Sequence, residues 1–341
     1  MTKFIIPFIT AFVLTVIFIF VLKFIAVKVN WTCRKSVRHI HRNNSFRLGG
    51  IAMILSFILA IFLNRDLYIN IQLYGVVIAL VIILVVGVWD DVREVFWKTQ
   101  LFYQVSAAIM IFIFGVRIYF ITHPLGGGTI DLSSGLAIIF SIALVIFWIV
   151  MMINSINWLD GIDGLSGGVS FIGALTIFFL SLHAEVNQPP VAILAMILAG
   201  SILGFLIFNF YPSIVLAGTS GSMFMGFSLA FLAIFAGTKI ATAILVMALP
   251  IIDFIWVIGE RFKNKKSIFR ADKNHLHHKL LELGWTQRKI SFYYYVVTAM
   301  IAVVALNTRV IGKSITLIAT FVIMAIALIF INKKLAEQKQ S

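Results

Sequence analysis

Apolar runs of membrane-spanning length recur from one end of this chain to the other, and no other feature limits its fold so strongly. A hydrocarbon core about 30 Å thick takes roughly 20 apolar residues of helix, because backbone polar groups inside it must be satisfied within the segment. Eleven such runs can be counted, at residues 4–27, 49–64, 71–89, 101–121, 136–153, 167–183, 190–209, 222–236, 239–258, 291–307 and 311–331. The eighth, bounded by Gly221 and Gly237, is short. Composition agrees: 61% of the residues are hydrophobic and 12% charged, where soluble domains carry about 25% charge. The expectation is an all-α polytopic membrane protein, residues 1–341 forming one integral-membrane domain with a short cytoplasmic tail at 332–341. The run from Phe4 to Val27 exceeds a signal-peptide core and lacks a small-x-small cleavage site, so it reads as an uncleaved first span. A single cysteine, Cys33, excludes an intramolecular disulfide and a multi-cysteine metal site.

A net charge of +14 could suggest a nucleic-acid partner, but the basic residues sit in short loops between spans, where membrane topology accounts for them. With eleven spans, twenty Lys and Arg fall in loops after odd-numbered spans or in the tail, against six on the opposite face. That bias sets the amino terminus outside and the carboxyl terminus in the cytoplasm. Every polar cluster of interest then lies on the cytoplasmic face, including the basic first loop RKSVRHIHRNNSFRLGG. The longest outer loop, THPLGGGTIDLSSG, has the glycine and β-branched content of a small hairpin.

Four clusters carry the chemistry. In DDVRE, Asp90, Asp91 and Glu94 crowd three of the chain's 13 carboxylates into five residues. The two aspartates stand at the helix end whose dipole disfavours them. Adjacent carboxylates repel unless a cation intervenes, and Mg²⁺ takes such oxygens; a span that simply ends in water is the alternative. In NSINWLDGIDGLSGG, Asn154 and Asn157 share a helix face, and glycines just beyond break the helix. Asp160 and Asp163 cost about 2.5–3.5 kcal/mol each inside a span, so they belong at the boundary or in a polar cavity. A solvated loop would use Lys and Ser in place of Trp158, Leu159 and Ile162. In LAGTSGSMFMG, glycines and hydroxyls precede a helix, a setting for a phosphate on backbone amides and equally for an ordinary N-cap. In RADKNHLHHKLLELG, Asn274 could cap a short amphipathic helix whose Leu276, Leu280 and Leu283 face inward. Its His275, His277 and His278 lack a zincin spacing, and the flanking Arg261, Arg270, Lys273 and Lys279 favour an anionic ligand over a metal. Asp253, within the ninth span, should pair with a nearby base.

In this order on these loops, the clusters resemble the polyprenyl-phosphate N-acetylhexosamine-1-phosphate transferases, relatives of the phospho-N-acetylmuramoyl-pentapeptide transferase, over nearly the whole chain. Asp90, Asp91 and Glu94 match the family's acidic motif, KTQLFYQ its glutamine-containing stretch, and Asn154, Asn157, Asp160 and Asp163 its NxxNxxDGxDGL motif. Pro250, Asp253 and Arg261 match PxxD followed by Arg; His275, His277 and His278 match the HxHH signature of the hexosamine-using branch. Arg38, His41, Arg47, Gly49 and Gly50 align with RxxH…RxGG.

The resemblance implies transfer of N-acetylhexosamine-1-phosphate, GlcNAc-1-phosphate foremost, from a UDP-N-acetylhexosamine to undecaprenyl phosphate. UMP would leave, in the first membrane step of a cell-envelope glycan at the bacterial cytoplasmic (inner) membrane, and the family is compatible with a homodimer. It implies Mg²⁺, with Mn²⁺ as a substitute, on Asp91, Asp160, Asp163 and Glu94. It assigns catalysis to Asp90, Asp91 and Asp163. Substrate contacts fall to Asn154, Asn157, Asp160, Arg38, His41, Arg47, Arg261, Arg270, His275, His277 and His278. Two departures stand out. The first loop reads CRKS at Cys33–Ser36 where the family has Asp-Lys-Pro-Asn, and GTSGS places Thr219 where the family has a Mg²⁺-binding Asp. A neutral hydroxyl does not supply a carboxylate's charge, so weaker Mg²⁺ affinity is expected unless another acid substitutes. A catalytically impaired relative that binds lipid phosphate or nucleotide sugar is therefore the alternative. A transporter ranks lower, since it would place polar residues near the midplane and on both faces.

Overall fold

The computed structural model describes residues 1–28, 46–123, 128–237, 240–265, 267 and 274–338. Thirteen helices are present among them: α1 Thr2–Lys28, α2 Gly49–Leu63, α3 Ile71–Val92, α4 Trp97–Ile113, α5 Ala137–Leu159, α6 Leu165–Leu182, α7 Pro189–Asn209, α8 Gly218–Phe235, α9 Ile240–Val246, α10 Ala248–Lys263, α11 Leu276–Glu282, α12 Gln287–Asn307 and α13 Val310–Gln338. Eight of these are long and apolar enough to cross a membrane, and a ninth span results if α9 and α10, bent by 78° at their junction, are taken together.

A helix covers all or part of each of the eleven expected segments, but not all of these helices reach spanning length. Helices α2 and α4 have only 15 and 17 residues, or roughly 22–26 Å at 1.5 Å per residue, short of an apolar core of about 30 Å. Helix α4 starts four residues before the expected 101 and stops at Ile113. Gly115, at φ +94°, ends it: its N–H bonds the Phe112 carbonyl and the Val116 N–H that of Ile111, the paired bonds of a left-handed helix stop. The chain then makes a two-stranded antiparallel hairpin, β1 Phe120–Thr122 with β2 Thr129–Asp131, in the loop whose composition called for one.

Helix α8 is the hub, buried over most of its length and packed on α2, α3 and α5. Helix α1 lies along α7, where Gly200 and Gly204 present their backbone to the carbonyls of Phe8 and Phe12; small residues at this spacing let spanning helices approach closely. Helices α1 and α13 turn many Ile, Val and Phe side chains outward, as expected where the solvent is lipid rather than water. The starts of α2, α6 and α8, the ends of α3, α5 and α10, and α11 are linked by contacts at one side.

Candidate functional site

The first turn of α8 organises one half of the site. Its free N–H groups, which carry the positive end of the helix dipole, point at the last turn of α3. Asp91, 9% exposed, accepts hydrogen bonds from the Thr219 N–H (2.8 Å), the Ser220 N–H (3.3 Å) and the Ser220 hydroxyl (2.9 Å). The Arg47 guanidinium stands 3.7 Å from the same carboxylate. The anion position that the GTSGS sequence suggested for a phosphate is therefore filled by the protein's own Asp91. Asp90, half-buried beside it, accepts from the Val95 N–H (2.9 Å), the Gln100 side-chain amide (2.7 Å) and the Thr219 hydroxyl (2.5 Å). Glu94 is exposed beyond the end of α3 and makes no hydrogen bond to this cluster among the described residues.

The end of α5 forms the middle. Asn157 donates to the Ser222 hydroxyl (3.0 Å), which ties α5 to α8. Asn154, one turn earlier, donates to the Val150 carbonyl and to Gln104 on α4, both at 2.8 Å. With the amide nitrogens so engaged, the carbonyl oxygens of both asparagines are left as the groups turned to other partners. Beyond the helix, Asp160 accepts from Ser166 (2.5 Å), and Asp163 accepts from the N–H (3.0 Å) and hydroxyl (2.8 Å) of Ser213. The Asp163 hydrogen bonds fix the turn between α5 and α6 to the chain that leads into α8.

The histidine helix α11 forms the other half. Its N-cap is His275, one residue after the expected Asn274, and the capping acceptor comes from α10. One oxygen of Asp253 takes the Leu276 N–H (2.8 Å) and the other meets His275 Nδ1 at 2.8 Å, the pairing with a base expected for that intramembrane acid. Leu276 and Leu280 are buried as expected, and Leu283 only partly. Trp158 packs between the halves: its ring lies 5.1 Å from that of His275, with the Arg261 guanidinium 4.7 Å above it. A Cβ on Gly161 would lie 2.6 Å from His277 Nε2, so the HxHH helix rests directly on the DG turn. His277 is 0% exposed and both of its ring nitrogens lack a hydrogen-bond partner. Burial, then the neighbouring His278 and His275, hold its pKa well below the usual imidazole value.

The structure thus joins Arg47, Asp90, Asp91, Asn154, Asn157, Asp160, Asp163, Asp253, Arg261, His275, His277 and His278 in one band of contacts at one end of the bundle. Arg38, His41 and Arg270 lie outside the described residues. Two participants, Ser213 and Glu260, were not singled out from sequence. Ser213 has no local pattern to mark it. Glu260, which takes Lys279 (3.3 Å), Trp256 (2.9 Å) and Asn332 (3.0 Å), could have been noticed as an acid at the end of an apolar helix. Gln100 and Gln104, both in the KTQLFYQ stretch marked in the sequence, stand at i and i+4 on one face of α4 and meet Asp90 and Asn154.

The donor set does not fit a resident Mg²⁺ or Mn²⁺ at Asp90 and Asp91. A carboxylate offers about four acceptor positions, and Asp91 spends its own on three hydrogen bonds and an ion pair, Asp90 three on protein donors. Among the described residues no group of three or more His, Cys, Asp or Glu is placed to hold a metal ion.

Fold and site together define a multi-pass helical membrane protein with a polar band of Asp, Asn, Arg and His at one end of its bundle. A model of glycosyl transferase family 4 matches residues 73–237. The chain is 32% identical over 302 residues to a decaprenyl-phosphate N-acetylglucosaminephosphotransferase of Mycobacterium leprae, covering 80% of this chain and 75% of the relative. It is 28% identical over 338 residues to a probable undecaprenyl-phosphate N-acetylglucosaminyl 1-phosphate transferase of Bacillus subtilis, covering 97% and 91%. To a phospho-N-acetylmuramoyl-pentapeptide-transferase of Sulfurimonas denitrificans it is 26% identical over 307 residues, covering 80% and 82%. The chain belongs to glycosyl transferase family 4, among the polyprenyl-phosphate sugar-1-phosphate transferases.

Proposed function

We propose that the protein transfers N-acetylglucosamine-1-phosphate from UDP-N-acetylglucosamine to a polyprenyl phosphate such as undecaprenyl phosphate. A phosphate oxygen of the lipid bonds the sugar-bearing phosphorus, the bridging bond to the uridylyl phosphorus breaks, and UMP departs with that bridging oxygen. The observation that carries this reading is the seating of the HxHH helix on the DG turn, on a helix end that the Asn157–Ser222 bond ties to α8 beside Asp90. The names of relatives matched along most of the chain agree with it.

The chemistry asks chiefly for in-line placement and compensation of phosphate charge. A phosphate monoester loses its second proton near pH 6, so Asp90 has little to do as a base and instead holds the Thr219 hydroxyl and the Gln100 amide in place. Arg47 and Arg261 supply fixed positive charge. His277, held neutral and without a partner, supplies a hydrogen-bond donor to the diphosphate or sugar once these enter. The carbonyl oxygens of Asn154 and Asn157 accept from hydroxyls of the nucleotide sugar. The site faces the cytoplasm of the bacterial inner membrane, with eleven passes, the amino terminus outside and the carboxyl terminus inside, in keeping with the Lys and Arg bias.

UMP release by purified protein given polyprenyl phosphate, UDP-N-acetylglucosamine and a divalent cation, with lipid-dependent formation of the pyrophosphate-linked sugar, tests the proposal. No release by folded protein with any UDP-hexosamine sinks it. The closed state of the two carboxylates supports a second reading, a relative that binds nucleotide sugar without turning it over. Saturable UDP-sugar binding with no UMP release would establish that instead.

A further inference from the structure

We propose that this chain neutralises the Asp90–Asp91 pair with its own donors and so carries no resident divalent cation there, and that Thr219 is the residue that sets this state. The inference concerns the ligand-free protein and does not depend on the transfer proposed above. Two adjacent carboxylates at the end of a span need compensating charge. Here it comes from two N–H groups at the dipole end of α8, the Ser220 hydroxyl and Arg47 for Asp91, and from the Val95 N–H, the Gln100 amide and the Thr219 hydroxyl for Asp90.

These donors cannot easily withdraw. Residues 46–50 hold the strand that leads into α8 through Leu216 N–H to the Phe46 carbonyl (2.8 Å), Gly49 N–H to Leu216 (3.0 Å) and Gly50 N–H to Ala217 (3.0 Å). On the other side, Gly87 of α3 lets the backbone of Ser220 approach so closely that a Cβ would sit 2.3 Å from its Cα. The first turn of α8 is therefore wedged against α3, and freeing Asp91 for a cation would require moving the hub helix. Thr219 is the member whose side chain sets the charge beside Asp90. Its side chain donates to Asp90, whereas a carboxylate at the same position would face Asp90 at hydrogen-bond distance with nothing to donate. Three carboxylates so placed must take up a cation or a proton.

Mn²⁺ titration followed by electron paramagnetic resonance, on the purified full chain without lipid phosphate or nucleotide, tests this directly. The wild-type chain should leave Mn²⁺ in its free, six-line form. Thr219→Asp should immobilise it at least about tenfold more tightly, and Thr219→Asn, of similar shape but neutral, should behave as wild type. Asp90→Asn in the wild-type background should change nothing. Wild-type binding as tight as in Thr219→Asp, tight binding in Thr219→Asn, no gain in folded Thr219→Asp, or loss of bound Mn²⁺ on Asp90→Asn would each overturn the proposal. If Thr219→Asp does not fold, the wild-type and Asp90→Asn titrations still decide. Because no substrate is present, the result stands whether or not the protein releases UMP.

Discussion

The two halves of the site differ in how completely they are satisfied. At the junction of α3 and α8, two carboxylates hold six hydrogen bonds and an ion pair with the protein itself. At α11, a few residues beyond the other end of the same network, His277 is fully buried with neither ring nitrogen partnered. A buried polar group without a partner costs about 1–3 kcal/mol. The carboxylate half is thus satisfied in the ligand-free chain, whereas in the histidine half, held by Asp253, His277 gains a partner only when something arrives. Acidic residues look like the reactive centre in the sequence, yet the unpartnered ring in this band is that of His277.

Truncating Asp91 should give the largest effect. Asp91→Ala strands Arg47, two helix N–H groups and the Ser220 hydroxyl in a buried setting, and losing one partner of such an arrangement costs about 3–5 kcal/mol. A fall of many degrees in the apparent melting temperature in detergent is expected. A shift within error of wild type would break the comparison at its first term.

His277→Leu should do the opposite to the ligand-free protein. Exchanging an unpartnered imidazole for an apolar side chain removes a desolvation cost, so stability should hold or rise. UDP-N-acetylglucosamine binding, measured by isothermal titration, should weaken by about tenfold or more. The pH dependence follows from the lowered pKa. Below the ordinary imidazole value near 6.5 the unfolded chain binds a proton that the folded His277 refuses. Wild-type stability should therefore decline as pH falls through that range, and His277→Leu should lose this contribution. A variant as unstable as Asp91→Ala, or one that binds the nucleotide sugar normally, would mean that the histidine half is structural too.

Much of this was legible in the sequence because membrane insertion makes polarity informative. Inside a span each polar residue needs a reason, so DDVRE, NSINWLDGIDG and HLHH stood out, and their one-sidedness followed from loop charge. The hairpin at 120–131 was readable from its glycines and β-branched residues. What the sequence hid was which groups satisfy which. That the helix N-terminus of GTSGS would be capped by Asp91, 128 positions earlier for Thr219, is a long-range contact with no local signal. The early end of α4 was hidden for a similar reason. Apolar residues continue past Ile113, and only the stop at Gly115 turns the chain into a hairpin.

Gln104, 3% exposed, sharpens the middle of the comparison. Its oxygen receives the Asn154 amide at 2.8 Å and so fixes which way that amide faces. Gln104→Met removes the acceptor and lets Asn154 turn. The expected loss is about 1 kcal/mol in nucleotide-sugar affinity, read as a several-fold rise in KM for UMP release with little change in kcat. A fall in kcat alone would place Asn154 at the reacting phosphate instead of the sugar or base.

The smallest effect concerns the seam between the halves. Ser222 accepts from Asn157 on α5 and lies against the carbonyls of Gly218 and Thr219 at 3.1 and 3.2 Å. Ser222→Ala leaves the Asn157 amide one acceptor short at a partly buried position, for about 1 kcal/mol of stability. If the satisfied and unsatisfied halves are energetically separate, combining Ser222→Ala with His277→Leu should give the sum of the single effects within about 0.5 kcal/mol. A larger coupling, in apparent stability or in nucleotide-sugar affinity, would show that the first turn of α8 and the histidine helix respond as one unit. Occupancy of His277 would then be felt at Asp90, and the division between the halves would hold only in the ligand-free chain.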